Sequence, residues 1–71
     1  MYQKLRKELS KRNMTVYRLS QITGLNQSTL YNGLRYGCLF PKHRRLICDA
    51  LNMEESALFT EEERGGKHVG K

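Results

Sequence analysis

The stretch "SQITGLNQSTLYNG", residues 20–33, decides the fold. Gly24 has no Cβ and can therefore adopt the left-handed conformation that ends a helix and turns the chain. Leu25 follows it and is expected to anchor the turn in the core. The side chain of Asn26 can accept hydrogen bonds from the first free amides of another helix. The stretch thus predicts two helices joined by a tight turn.

The second of these helices, predicted over residues 27–36, holds few apolar side chains. Each residue turns an α-helix by about 100°, so Leu30 and Leu34 share the inward face. Ser28, Asn32 and Arg35 then lie on the opposite face. Amide, hydroxyl and guanidinium groups can read the edges of DNA bases, although a polar surface helix of no special function has the same composition.

The sequence predicts four helices around the one over residues 27–36, and the helix that precedes the turn is one of the four. Helices over residues 2–12 and 16–23 precede the turn, and the second of them is capped by Thr15. Helices over residues 41–51 and 54–59 follow, and Asn13 and Asn52 are expected to end two of the four. The side chains expected to face the core are Leu5, Leu9, Val16, Leu19, Ile22 or Thr23, Leu46, Ile47, Ala50, Leu51, Leu58 and Phe59.

Strand-like alternation is weak throughout, so the predicted fold class is all-α, a compact bundle of about five short helices. The domain is expected to span residues 1–60. Residues 61–71 carry three glycines and almost no apolar side chains, and we expect them to form a disordered polar tail.

Charge is unevenly distributed along the chain. The formal net charge is +6, but residues 1–45 carry ten basic side chains and one acidic one, whereas residues 46–71 carry three basic and six acidic. This asymmetry favours a polyanionic partner that contacts mainly the N-terminal part. A solvated surface that keeps a small protein soluble is the competing interpretation.

Size and composition argue against several other classes. A chain of 71 residues without a tryptophan can hardly form a core large enough to enclose a substrate. The sequence also lacks paired carboxylates, a nucleophile with its base and a phosphate-binding loop. We therefore expect neither an enzyme nor a bound cofactor. No apolar run approaches the ~20 residues of a membrane span. The charged first segment "MYQKLRKELSKR" does not resemble a signal peptide. We therefore expect a reducing compartment, in which the two cysteines are free thiols. A zinc site is not expected, because the candidate ligands lack the paired spacing of structural zinc sites. These candidates are Cys38, His43, Cys48 and His68.

The segment "TVYRLSQITGLNQSTLYNGL", residues 15–34, resembles the helix-turn-helix of the phage repressor and Cro family of bacterial and phage transcriptional regulators. The segment "YGCLFPKHRRLICDALNMEESALF", residues 36–59, is similar to the usual ending of that family. The resemblance covers roughly residues 4–59 and implies a lambda-repressor-like DNA-binding domain whose third helix enters the major groove. Gly33 departs from the family pattern, because an apolar side chain is usual at that position.

The resemblance also implies roles for individual residues. The expected base contacts are Gln27, Ser28, Thr29, Tyr31 and Asn32. The expected phosphate contacts are Tyr17, Arg18, Arg35, Tyr36, Lys42 and Arg44. Family members usually bind as dimers on half-sites about 34 Å apart, and the homodimer surface expected in this chain comprises Leu51, Met53, Leu58 and Phe59.

The leading hypothesis is therefore a sequence-specific regulator of double-stranded DNA, expected to be a repressor, cytoplasmic and nucleoid-associated when bound. The alternative is a protein-interaction module on the same scaffold, such as an antitoxin-like or adaptor protein. Its acidic C-terminal third would carry the binding, and its affinity for DNA would be weak and not sequence-selective. An RNA-binding domain is less favoured, since its stacking platform would have only Tyr17, Tyr31 and Tyr36.

Overall fold

The computed structural model describes residues 1–64, and within them the chain forms five α-helices and no strand. The helices are α1 Gln3–Lys11, α2 Val16–Thr23, α3 Gln27–Tyr36, α4 Pro41–Leu51 and α5 Glu55–Leu58. The predicted all-α class is confirmed, and the helix ends lie within one residue of the expected ones. None of these helices is long and apolar enough to cross a bilayer.

Local chemistry begins α2 and α3 and ends α1, α2 and α4 as predicted. Thr15 Oγ1 accepts a hydrogen bond from the Arg18 amide at 3.1 Å, and Asn26 Oδ1 accepts one from the Ser28 amide at 3.0 Å. The left-handed residues that follow helices α1, α2, α3 and α4 are Asn13, Gly24, Gly37 and Asn52. Each of these features depends only on residues a few positions apart.

One hydrophobic core joins all five helices. Its buried members are Tyr2, Leu5, Leu9, Leu19, Leu30, Leu34, Leu39, Ile47, Cys48, Leu51, Leu58 and Phe59. Ile22 is not among them and is 38% exposed. Thr23 is half-buried instead, with its hydroxyl donating to the Leu19 carbonyl oxygen at 2.8 Å. Leu46 and Ala50 are only half-buried.

Leu39 is a core residue that the sequence analysis did not identify. It lies in the loop between α3 and α4 and packs against Gly33, which is itself buried in α3. A Cβ at position 33 would meet Leu39 Cδ2 and lie 3.1 Å from Leu39 Cγ. The glycine that departs from the family pattern therefore makes room for the loop leucine.

The expected homodimer surface is wrong. Leu51, Leu58 and Phe59 are at most 2% exposed, because they pack inside the core of a single chain. Met53 is half-buried against the same core. Leu51, Leu58 and Phe59 therefore cannot form the contact surface of a homodimer while the domain remains folded.

The described chain continues past the expected boundary at residue 60. Residues 60–64 form a turn in which the Arg64 amide donates to the Thr60 carbonyl oxygen at 3.0 Å. Glu63 accepts a hydrogen bond from the backbone N–H of Tyr2 at 2.7 Å, so this turn contacts the opposite end of the chain. The rest of the expected tail, residues 65–71, lies outside the described residues.

Candidate nucleic-acid interface

Helices α2 and α3 pack against each other across the turn at Gly24. Leu19 and Leu30 are fully buried, and Leu25 is partly buried against the same core. Gly24 adopts φ 78°, a conformation that a residue with a side chain rarely takes. The turn and its three leucines hold α3 at the surface, with its inward stripe fixed.

The outward face of α3 brings together the residues predicted as base contacts. Tyr31 is 61% exposed, Thr29 is half-buried, and the other three are exposed. These three are Gln27, Ser28 and Asn32. The face therefore offers two amides, two hydroxyls and a phenol on consecutive turns of one helix.

Basic and aromatic side chains lie at the C-terminal end of this face. Arg35 and Tyr36 are exposed, and the Arg35 guanidinium carbon lies 5.6 Å from the centre of the Tyr36 ring. Lys42, in the first turn of α4, is exposed as well. All three are exposed, as a contact with a polyanion requires.

The exposed side of α2 carries a connected polar group. Gln21 Nε2 donates to the Tyr17 hydroxyl at 3.2 Å, and Arg18 Nη1 donates to Gln21 Oε1 at 3.5 Å. Tyr17 and Arg18 were predicted as phosphate contacts, whereas Gln21 was not. Gln21 lies four residues after Tyr17 and three after Arg18, and this spacing could have identified it as a member of the polar group.

Arg44 was expected to contact phosphate, but the structure buries its side chain. The residue is only 7% exposed. Its guanidinium donates from Nε to Glu55 Oε2 at 3.1 Å and from Nη1 to the Leu39 carbonyl oxygen at 2.9 Å. Arg44 would lose both hydrogen bonds if its side chain turned toward DNA.

The two cysteines lie in different environments. Cys38 is exposed in the loop after α3, and Cys48 is buried in the core. Burial raises the pKa of the Cys48 thiol, and the nearby carboxylates of Glu55 and Asp49 raise it further. Cys48 is therefore a neutral thiol near pH 7 and packs as a small apolar residue.

The candidate zinc ligands are not gathered in the structure. Over residues 1–64, no three His, Cys, Asp or Glu side chains come close enough to hold a metal ion. His68, the fourth candidate, lies outside the described residues.

Two helices joined by a tight glycine turn, with the second helix presenting an exposed polar face, define a helix-turn-helix DNA-binding domain. Residues 4–36 match the family model of the Cro/C1-type HTH DNA-binding domain. The match covers α1 to α3, and the resemblance to the Cro-like family is confirmed there. Neither the curated proteins nor the solved structures contain a significant match to the chain.

Proposed function

We propose that this protein is a sequence-specific transcriptional repressor that inserts α3 into the major groove of double-stranded DNA. The observation that carries the proposal is the exposed polar face of α3 within the segment that matches the Cro/C1-type domain. Such a regulator would act in the cytoplasm and associate with the nucleoid when bound. It would repress by covering DNA that the transcription machinery needs.

The side chains of α3 suit direct readout of bases. The amides of Gln27 and Asn32 can each donate to and accept from one adenine, and the hydroxyls of Ser28 and Thr29 can pair with several base edges. The Tyr31 ring can contact a thymine methyl group. A good two-point contact contributes about 1–3 kcal/mol of discrimination against the wrong base.

Phosphate contacts would come from two sides of this face. Tyr17 and Arg18 lie on α2, Arg35 and Tyr36 lie at the end of α3, and Lys42 lies in the first turn of α4. Contacts of this kind set the register of the protein on DNA and make affinity depend on salt, but they carry little sequence information.

Selection of bound sequences from random duplex DNA tests the proposal. The wild-type protein should select one motif, and Asn32→Ala should relax the selection at one or two of its positions. Gln27→Ala should do the same at other positions. Gln3→Ala is the matched control, because Gln3 is also an exposed first residue of a helix but lies on α1. Selection of no motif by the wild-type protein would refute sequence-specific binding.

A reporter gene tests the direction of regulation. With the selected motif placed across a promoter, the protein should lower expression, and the Asn32→Ala variant should lower it less. An increase in expression with the motif in the same place would show that the protein is not a repressor.

A further inference from the structure

We infer that residues 60–64, here named the C-terminal clasp, position the recognition helix α3 and so contribute to site-specific affinity without touching DNA. The inference rests on the proposed function. It comes from an unbroken series of contacts that leads from the clasp to Tyr2, from Tyr2 to Leu39, and from Leu39 to Gly33 in α3.

The clasp is a turn held in one conformation by reciprocal hydrogen bonds. The Thr60 amide donates to Glu63 Oε1 at 3.0 Å, and the Glu63 amide donates to Thr60 Oγ1 at 3.2 Å. This pairing is the capping box that usually opens a helix. It directs the other carboxylate oxygen of Glu63 toward the N-terminus of the chain.

Glu63 holds Tyr2, the second member of the series. Glu63 Oε2 accepts from the Tyr2 backbone N–H at 2.7 Å. Tyr2 has φ 58°, which is rare for a bulky residue and needs compensating contacts. The Tyr2 ring also packs edge-on against Phe59, with the ring centres 5.7 Å apart. The carboxylate of Glu63 therefore helps to keep Tyr2 in an unfavourable backbone conformation.

Tyr2 in turn holds the peptide of Leu39. The Tyr2 hydroxyl accepts from the Leu39 amide at 3.0 Å, and Arg44 donates to the Leu39 carbonyl oxygen. Arg44 also donates from Nη2 to the Arg64 carbonyl oxygen at 3.4 Å. The clasp thus reaches the Leu39 peptide by two routes, one through Tyr2 and the other through Arg44.

Leu39 transmits this restraint to the recognition helix. Its side chain packs against Gly33 so closely that a Cβ there would not fit beside Leu39 Cδ2. Gly33 follows Asn32, the central residue of the outward face. A shift of Leu39 would let α3 move, and base contacts tolerate little displacement because their hydrogen bonds are directional.

Charge alone predicts the opposite effect of losing Glu63. Removing an acidic side chain from a DNA-binding protein raises its affinity for the phosphate backbone. Glu62 and Glu63 are neighbours with equal charge, but Glu62 is exposed and Glu63 carries the contact to Tyr2. Substitutions at these two positions therefore distinguish an effect on the position of α3 from an effect of net charge.

The experiment compares Glu63→Ala with Glu62→Ala. Glu62→Ala should leave operator affinity unchanged or slightly raised. Glu63→Ala should lower operator affinity by about three- to tenfold, as expected for coupling through packed contacts, while affinity for unrelated DNA does not fall. Ile47→Val serves as a core control that lowers stability without removing any hydrogen bond of this series. Equal operator affinities for the two glutamate variants would overturn the inference.

Amide hydrogen exchange provides a readout that needs no DNA. Exchange at Leu39 should be faster in Glu63→Ala than in Glu62→Ala, and Tyr2→Phe, which removes only the hydroxyl acceptor, should increase it too. Unchanged exchange at Leu39 in Glu63→Ala would refute the series of contacts even if an operator is found. Failure to select any operator would refute the proposed function and leave this measurement decisive for the clasp.

Discussion

Leu39 fills the space that a side chain at position 33 would need, and this pair shows how single residues set the geometry of α3. Both residues are buried, and a Cβ at position 33 would lie 3.1 Å from Leu39 Cγ. Glycine lowers helix propensity by about 1 kcal/mol relative to alanine. Close packing of the loop against the helix offsets that loss.

Gly33→Ala should destabilise the protein. Overpacking typically costs about 1–3 kcal/mol, which exceeds the gain in helix propensity of about 1 kcal/mol. The midpoint of thermal unfolding should fall by roughly 5 °C. In the Leu39→Ala background the same substitution should be neutral or stabilising, because the obstructing atoms are gone. Equal losses in both backgrounds would show that the Gly33–Leu39 contact is not the cause.

Arg44 and Lys42 are two basic residues of α4 with different surroundings, and their substitution should have different effects on the free energy of unfolding. Arg44→Met removes the donor to the buried Leu39 carbonyl oxygen and should lower the free energy of unfolding by about 2 kcal/mol. Lys42→Met should leave stability within about 0.5 kcal/mol of wild type. Chemical denaturation of the two variants measures the difference.

Salt dependence of DNA binding completes the comparison between these residues. Lys42→Met should reduce the slope of log affinity against log salt by about 0.9, the value for one lost phosphate contact. Arg44→Met should keep the wild-type slope. A reduced slope for Arg44→Met would restore Arg44 as a phosphate contact.

At the scale of the element, α1 is stabilised by an ion pair on its surface. Arg12 Nε lies 2.7 Å from Glu8 Oε2, and Arg12 Nη2 donates to the Leu51 carbonyl oxygen at 3.0 Å. The pair therefore links α1 to the end of α4. The hydrogen bond from Arg12 lowers the pKa of the Glu8 carboxyl, more than burial raises it, and the charge of Lys11 adds to the lowering.

The lowered pKa of Glu8 predicts a small loss of stability in acid. The folded state favours the carboxylate, so this contribution is present above the ordinary glutamate pKa of 4.5 and disappears as the pH falls through the lower folded value. Glu8→Gln should flatten that part of the curve of unfolding temperature against pH. Glu61→Gln, a change at an exposed glutamate in the clasp, is the charge-matched control. The prediction fails if Glu8→Gln and wild type lose stability in parallel between pH 5 and 3.

At the scale of the whole molecule, the core draws on residues from both ends of the described chain. Tyr2 and Phe59 are both buried and pack edge-on. The segment that matches the Cro/C1-type domain, residues 4–36, contains neither of them. The helix-turn-helix therefore packs against a core that α4, α5 and the N-terminal residues complete.

Phe59→Ala and Phe40→Ala test this dependence with a matched pair. Phe59 is fully buried, whereas Phe40 is 62% exposed. Phe59→Ala should lower stability by about 3–5 kcal/mol, a large part of the ~4–10 kcal/mol expected for a chain of this size. Phe40→Ala should change it by less than about 1 kcal/mol. Thermal unfolding followed by circular dichroism measures both, and similar midpoints would contradict the position of Phe59 in the core.

The features that could be predicted from the sequence are local. Thr15, Gly24, Asn26 and Asn52 begin or end helices through backbone conformation and hydrogen bonds within a few residues, so their roles can be read without the rest of the fold. The outward polar face of α3 follows from helical periodicity in the same way. These features suffice for the all-α class and for the position of the candidate interface.

The orientation of several other side chains could not be predicted, because each depends on contacts between distant elements. Arg44 and Lys42 look alike in the sequence, and only the packing of α4 against α5 and the α3–α4 loop buries the first. Leu51, Leu58 and Phe59 are apolar, which fits both a core and a homodimer surface. Tertiary packing buries them in the core of a single chain.

The sequence by itself determined where the helices begin and end, how α3 divides into apolar and polar faces, and which end of the chain is basic. Only the tertiary structure decided that Arg44 and not Lys42 is buried. It also decided that Leu39 packs against Gly33, and that Glu63 in the clasp accepts a hydrogen bond from Tyr2. The physical reason is range: capping and periodicity act over about four residues, whereas burial depends on elements that lie far apart in the chain.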